Sequence, residues 1–469
     1  MRALAQRSLA TLGSRRSQVL VAVAASAIAA AAPLLIAHPA LVLVACLAPL
    51  GLLAVVAAPF PLCLGFLAFT FFRLHEALPQ LYPLKLPQLL ALATLASLAW
   101  GFAARRVRPF WTKELSWFAA FFAHMSLGIA FATSREVSVA LWTGTFIKIA
   151  IMVLAIAWIA RAPAHFAATM RAFVACGIVI GAIAVWNKAN GIGLVEGTRV
   201  TIGRDIGSQI GDPNDLALVL LFPASFALSL VLARGNGLGA RLLGLVGFLM
   251  PTFGILATQS RGGLLGIVAI VGVFAWGRVR NKALLLAAGG VALLALFAVA
   301  GVGERVSGGA GESGIDESAM GRIYAWQAAL RMAIAKPVFG VGLDAFHNNY
   351  YFFSPHWDGK NHAVHSTWLQ ILAEGGFVGL ALFLALAWRT FRLALANARA
   401  AAACPSSEPA RTAMAQALLA GLIGFFVSGT FLTMGYAWPF YILFALSLGL
   451  GAGAPRPATL AAEPALVSR

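Results

Sequence analysis

Apolar runs of about 17 to 24 residues follow one another along most of this chain, each long enough to cross a hydrocarbon core. A water-soluble fold would have to bury several helices of that length completely. Composition argues the same way: 61% of residues are hydrophobic and only 11% are charged, against roughly 25% charged in soluble domains. The mean hydropathy is +0.86. The reading is an all-α polytopic membrane protein, a bundle of about 12 to 14 transmembrane helices.

The expected spans are 19–37, 40–58, 60–75, 86–104, 115–132, 137–160, 167–189, 214–233, 240–258, 261–277, 282–301, 366–388, 413–431 and 436–453. The tightly linked early runs and the 240–277 pair are places where spans merge or re-enter. The formal net charge is +18, but the basic residues are not gathered into a face that would grip nucleic acid. They sit in short links: 105–113 (RRVRPFWTK), Arg161 to Arg171, Arg234 to Arg241, Arg278 to Lys282 and Arg389 to Arg411. Placing these links and both termini in the cytoplasm requires strict alternation of the spans, and the span order supplies it.

Residues 1–32 resemble a signal peptide, with Arg15 and Arg16 ahead of an apolar, alanine-rich stretch. Because further spans follow at once, an uncleaved first helix is expected. Cys46, Cys63 and Cys176 lie in apolar runs and Cys404 in a basic link, so no disulfide is expected.

The links left on the outer side include 133–136, 190–213, a tight turn near 259–260, and 302–365. The last divides the chain into N-terminal helices (1–301), an outer loop (302–365), and C-terminal helices with a cytoplasmic tail (366–469). Within it, Glu304, Glu312, Asp316 and Glu317 lead to Ser318, a plausible helix cap. Ile323, Trp326, Leu330 and Ile334 then form one helical stripe, and Lys336-Pro337 ends it. Such a stripe lies on the membrane surface or on the bundle.

Four groups reach this outer face. Arg204 lies in the 190–213 link, Arg261 at the tight turn, Arg322 at the start of the loop helix, and His365 at the loop's end. Helices starting near 214, 261 and 366 aim free N–H groups and peptide dipoles at the same face, which favours an anion there. Arginine adds a planar, bidentate match to phosphate oxygens. Together these groups would hold a diphosphate without a metal, and the sequence has neither a DxD nor an HExxH motif.

Each residue also has a bland reading. Arg204 and Arg261 would snorkel to lipid phosphates, Arg322 would pair with Asp316 or Glu317, and Asp212 and Asn214 would cap the helix at 214. His365 would be an interfacial or capping residue. Convergence weighs against these readings, because charge near membrane depth is costly and usually functional. Beside a helix N-terminus and arginines, the His365 imidazole is pushed towards its neutral form. Neutral imidazole can take a proton from an attacking hydroxyl. His362 is the alternative base, and a zinc site from His356, His362 and His365 is the lesser possibility. Lys148 and Glu374 are intramembrane charges. A structural role bonded to a neighbouring arginine is expected for Glu374, and Lys148 is left open.

Three segments carry a family resemblance: TQSRGGLLG (258–266), GRIYAWQAALRMAIAKPVFGVGLDAF (321–346) and HSTWLQILAEGGFVG (365–379). GDPNDLAL (211–218) is a fourth and also resembles ligases that transfer glycans to proteins. The pattern resembles the O-antigen ligase family within the wider ligase and polymerase superfamily. The resemblance implies a GT-C-like helical fold in the bacterial inner membrane. It also implies glycan transfer from undecaprenyl diphosphate to a lipid A-core hydroxyl on the periplasmic face. It implies no cofactor and no metal. Carried over by position, His365 matches the family's catalytic histidine, and Arg261 and Arg322 match its arginines. Arg204 is placed by topology more than by motif. The implied partners are the lipid-linked O-antigen donor, the lipid A-core acceptor and membrane lipids, with no nucleic acid. An O-antigen polymerase or a protein O-oligosaccharyltransferase shares the chemistry with another acceptor. A transporter of an anionic lipid would be a different class of function.

Overall fold

The computed structural model describes residues 51–233, 235–302, 317–357, 359–403 and 409–453, with Val23 and Ala27. Apart from Val23 and Ala27, the span expected at 19–37 and the signal-like stretch 1–32 lie outside the described residues, as do most of the span at 40–58, Cys46, Cys404, Glu304, Glu312, Asp316 and the C-terminal tail. Among the described residues nine helices are long and apolar enough to cross a membrane. A tenth is counted if Gly51–Ala57 and Pro59–Phe71, bent by 108°, form one span. The protein is an all-α polytopic membrane protein.

In chain order the helices are α1 (Pro59–Phe71), α2 (Leu86–Ala103), α3 (Lys113–Gly128), α4 (Arg135–Ile159) and α5 (Pro163–Ala189). A short antiparallel hairpin follows, β1 (Leu194–Val195) with β2 (Arg199–Val200). Then come α6 (Pro213–Leu232), α7 (Leu238–Thr258), α8 (Arg261–Trp276), α9 (Lys282–Val299), α10 (Glu317–Ala335), α11 (Phe346–Phe353), α12 (Thr367–Ala403), α13 (Pro409–Gly429) and α14 (Trp438–Ala452).

From residue 86 onward each expected span has its helix, with ends a few residues away and one exception. That exception is α12, which continues through the basic link to Ala403. Its second half, RTFRLALANARAAAA, contains neither glycine nor proline and is rich in good helix formers, so nothing stops it at the membrane surface. In α10 the helix starts at Glu317, which places Ser318 in the first turn rather than at the cap.

The core is centred on α6. In its most apolar window 78% of residues are buried, whereas α9 buries none. Lipid tails are as apolar as leucine, so helices here associate through close packing rather than through exclusion of water. The RGGLLG start of α8 follows from this. A Cβ at Gly266 would come within 2.4 Å of Leu221 Cδ1 on α6. At Gly263 a Cβ would come within 2.7 Å of the Ala217 Cβ on α6, so glycine there lets the two helices approach closely.

The loop helix α10 buries an alanine-rich face (Ala325, Ala328, Ala329) with Met332 and Ala333. Ile323, Leu330 and Ile334 of the expected stripe point outward, and Trp326 is half-buried with its Nε1 donating to the Val364 carbonyl at 3.1 Å. The apolar stripe therefore faces away from the bundle.

The feature that fixes the loop is a break in α12. Gly376 has φ 67° and ψ −172°, so the helix ladder is interrupted there. The segment after α10 satisfies what the break exposes. Val341 N donates to Ala373 O (2.8 Å), Gly342 N to Glu374 O (3.2 Å), and Phe377 N to Pro337 O (2.8 Å). His124 Nε2 contacts Gly375 O at 2.9 Å. The Glu374 carboxylate accepts from Phe346 N at 3.2 Å and from Gln370 Nε2 at 3.5 Å. The arginine partner expected for Glu374 is therefore replaced by a backbone amide and a glutamine, because the loop folds in over this turn.

A Cβ on Gly376 would lie 2.5 Å from Pro337 O in a backbone region that disfavours side chains. Gly376→Ala is expected to cost about 3 kcal/mol. Gly277→Ala, where a Cβ would meet nothing within 4 Å, is expected to change stability by less than about 0.5 kcal/mol. Thermal unfolding of the two purified variants measures the difference, and equal midpoints would remove the clasp as a stabilising device.

Candidate functional site

One end of the bundle gathers the starts of α6, α8 and α12 around the β-hairpin and the loop 430–435. Asp212 caps α6, its Oδ1 accepting from Asn214 N (2.7 Å) and Asp215 N (3.3 Å). Ser260 caps α8 by accepting from Gly263 N at 3.3 Å. Between α7 and α8 the chain turns on Gln259, which has φ 52°, so the tight turn expected at 259–260 is present.

Asn214 joins these pieces. Its Oδ1 accepts from Ser260 Oγ (2.9 Å) and from Arg199 Nη2 (2.8 Å). Arg199 Nε also donates to the Thr258 carbonyl at 3.2 Å, and its Nη1 lies 3.5 Å from Glu196. One guanidinium thus ties the hairpin, the end of α7 and the start of α6 together. Charge-assisted bonds of this kind are the stronger ones.

His365 stands two residues ahead of α12 with φ 46°, a left-handed conformation uncommon for a side chain of this size. It is held there by neighbours. Its N–H donates to Thr433 Oγ1 (3.1 Å), and Thr367 Oγ1 both donates to Leu432 O (2.8 Å) and accepts from Met434 N (3.3 Å). Gly435 N donates to Gln370 Oε1 at 2.8 Å. Ser366 provides the first-turn acceptor for Leu369 N at 3.5 Å. The 430–435 loop is stapled to the first turn of α12, so the imidazole has a defined place.

Burial lowers the His365 pKa from the ordinary histidine value, and the positive charge of Arg322 lowers it further. Asp212 pulls in the opposite direction, while His362 and Arg199 add smaller depressing effects. The imidazole is therefore biased towards its neutral form by desolvation and by two arginines. Nearby, burial raises the Asp344 pKa, with His347 opposing it.

Arg322 also lines a narrow cavity with Arg261, Asn214, Ser260, Ser428 and Phe431. It is thus shared between the surroundings of His365 and the cavity that Arg261 borders. The expected Arg204 stands apart. It is exposed, its Nη1 donates to Gly211 O within its own loop (3.1 Å), and it neither lines that cavity nor bears on His365. Arg199, in the same link, is the arginine that is buried at this end of the bundle and bears on His365. Both arginines lie in one link, and the signal that separates them is the β-pairing of Val195 with Arg199, which carries the guanidinium inward. Single-sequence reading gives no such register.

The other loop histidines pack on aromatics: His356 stacks on Tyr324 (centroids 5.0 Å apart) and His362 meets Tyr350 edge-on (5.3 Å). Among the described residues no three His, Cys, Asp or Glu side chains converge as a metal set.

Residues 245–384 match the family model described as O-Antigen ligase. Over that stretch the chain is similar to the O-antigen ligase family. The matched segment holds Arg261, Arg322, His365 and the break at Gly376, and it leaves Arg199 and Asp212 outside. No curated protein matches the chain. That similarity, with the apolar helices, supports a multi-pass membrane protein of the ligase and polymerase superfamily, an enzyme in general terms, with saccharide and lipid-linked compounds as its broad substrate class.

His365 is expected to titrate below about 6.5, the unperturbed histidine value. Arg322→Gln removes one repelling charge and should raise that pKa towards 6.5. The check is NMR of histidine-labelled protein, with the signal assigned by its loss in His365→Gln. An unchanged titration in Arg322→Gln would mean the two side chains do not sense each other.

Proposed function

We propose that the protein is an O-antigen ligase acting at the outer, periplasmic face of the bacterial inner membrane, with both termini cytoplasmic. The donor is a polysaccharide on undecaprenyl diphosphate and the acceptor a hydroxyl of the lipid A-core. The supporting observation is the shared position of Arg322, beside the neutral-biased His365 and in the wall of the cavity that Arg261 borders.

In this reaction His365 removes the proton from the acceptor hydroxyl as the oxygen attacks the anomeric carbon of the donor. The new glycosidic C–O bond forms as the bond from that carbon to the diphosphate oxygen breaks. The lipid diphosphate leaves with an added negative charge. Arg261, Arg322 and Arg199, together with the N-termini of α6 and α8, face that charge with donors already in place, where preorganised charge stabilises the transition state most. The arginines need no proton of their own, and a metal is not required by the charge balance. In this reading the outer loop, proposed at 302–365 between the helices of 1–301 and those of 366–469, contributes α10 and α11 beside the site.

Replacing His365 by alanine should lower transfer by about 10² to 10⁴-fold while the protein still inserts and folds. The readout is lipopolysaccharide laddering, with accumulation of lipid-linked polymer in the membrane. A normal ladder would eliminate His365 as the base. Single repeats in place of polymer would point to a polymerase, and loss of a glycoprotein to a protein-directed enzyme.

Arg261→Lys should also impair transfer, since lysine keeps the charge but loses the planar fork; full activity would reduce Arg261 to a contact with bulk lipid. Arg199→Ala should lose more activity than Arg204→Ala in the same assay. The opposite order would return the role to Arg204.

A further inference from the structure

A second cavity lies away from the surroundings of His365, between α1, α2 and α4. It measures about 640 Å³ and is lined by Phe66, Leu92, Leu95, Ile151, Met152 and Trp438 along its apolar length. Leu92 is 66% exposed and Ile151 43%, so this wall opens towards the acyl chains rather than into the bundle. Its polar side holds Thr70, Arg73, His75, Glu76, Lys85 and Lys148.

The charges are not balanced within the cavity. Arg73 is committed to Glu76, with Nη2 to Oε1 at 2.8 Å and Nε to Oε2 at 3.0 Å. The ammonium groups of Lys85 and Lys148 make no hydrogen bond or ion pair among the described residues. Lys148 lies thirteen residues along α4 from Arg135, about 20 Å at the usual helical rise. That is too deep for its ammonium to reach bulk headgroups by snorkelling alone, and an ammonium at that depth is costly unless something anionic meets it. Its side chain leans towards the start of the helix, where Gly144 and Thr145 of a π-helical turn (Trp142–Phe146) also line the cavity. Such turns concentrate at functional sites.

Two more observations mark the place as built. Thr70, only 5% exposed, has an Oγ1 with no hydrogen-bond partner, and it lines the cavity. By contrast Thr94 on α2 satisfies its hydroxyl on the Leu90 carbonyl at 2.6 Å. Arg73 and Lys85, which bracket the segment forming the cavity rim, both hold left-handed backbone (φ 52° and 47°). Side chains rarely adopt that region, and such strain persists where surrounding structure enforces it.

We propose that this groove binds a membrane lipid carrying a phosphate monoester, its acyl chain along Leu92, Leu95 and Ile151 and its phosphate between Lys85 and Lys148. A phosphate monoester carries close to two negative charges near neutral pH, which matches two lysines without carboxylate partners. A diester headgroup would bring only one charge. The Thr70 hydroxyl supplies a further polar contact. The rim is joined to the first site, because Ser208, in the loop between Arg199 and Asp212, donates its hydroxyl to Glu76.

The test uses the purified full-length protein reconstituted in phosphatidylcholine nanodiscs doped equally with phosphatidic acid and phosphatidylglycerol. It is then extracted into lipid-free detergent, and the retained lipid is measured by mass spectrometry. Phosphatidic acid is expected to be enriched over both other lipids. Lys85→Ala and Lys148→Ala should each lower its retention roughly fivefold, and the paired arginine replacements should preserve it. Retention that is equal for the three lipids, or greatest for phosphatidylglycerol, would overturn the monoester site. Displacement by millimolar inorganic phosphate would make the ligand a free anion and overturn the lipid. The lipid comparison in the unaltered protein decides the matter even if the alanine variants fail to fold. His365→Ala should retain the lipid as well as the unaltered protein does, so failure of this site and failure of the proposed reaction read out separately.

Discussion

A helix within a membrane cannot leave its backbone groups unmet, because no water is there to receive them. At Gly376 α12 does interrupt its own ladder, and the structure depends on how that interruption is met. The segment from Pro337 to Phe346 supplies amides to the Ala373 and Glu374 carbonyls and a carbonyl to the Phe377 amide, while His124 reaches the Gly375 carbonyl. The loop is thereby bonded to the interior of a spanning helix rather than laid over its end. Its position is set by hydrogen bonds whose loss would leave orphaned groups in an apolar surrounding, the costly kind of loss.

From that anchor the geometry of the outer face follows. Clasping α12 at its third turn fixes the loop that descends from α10, and α10 carries Arg322. The first turn of the same helix is stapled to the 430–435 loop through Thr367, Gln370 and Thr433, which sets His365. Opposite these, Asn214 receives both Ser260 and Arg199, so the starts of α6 and α8 are held together with the hairpin. Cationic side chains and helix N-termini would repel one another unless an anion or a carboxylate offset them. Asp212 and Glu196 supply part of that offset within the protein, and the remainder is a field that favours an anion.

The two halves of the outer face differ in kind. Where Arg261 and Arg322 line a cavity the space is narrow, and the turns around it and around His365 are crosslinked by hydrogen bonds, so the geometry is fixed. Between α1, α2 and α4 the walls are apolar and exposed, and two lysines stand without partners, which suits a ligand that diffuses in from the bilayer. The Ser208–Glu76 contact is the physical link between them.

Much of this was legible in the chain itself. Run length and the basic links determined the class and the order of the spans, because both report the thickness and polarity of the surrounding solvent rather than any particular packing. The motifs at 258–266, 321–346 and 365–379 pointed to Arg261, Arg322 and His365, since a helix start, a glycine pair or a proline stop has a local meaning. What the tertiary structure alone decided depends on contacts between segments far apart in sequence. The choice of Arg199 over Arg204 turns on a hairpin register and on an asparagine on another helix. The partner of Glu374 is an amide 28 residues away, brought there by a helix break whose ψ no residue type dictates. The continuation of α12 to Ala403 and the presence of Lys85 and Lys148 in the wall of one groove are of the same sort. Local sequence sets which groups each helix presents; only packing sets which of them meet.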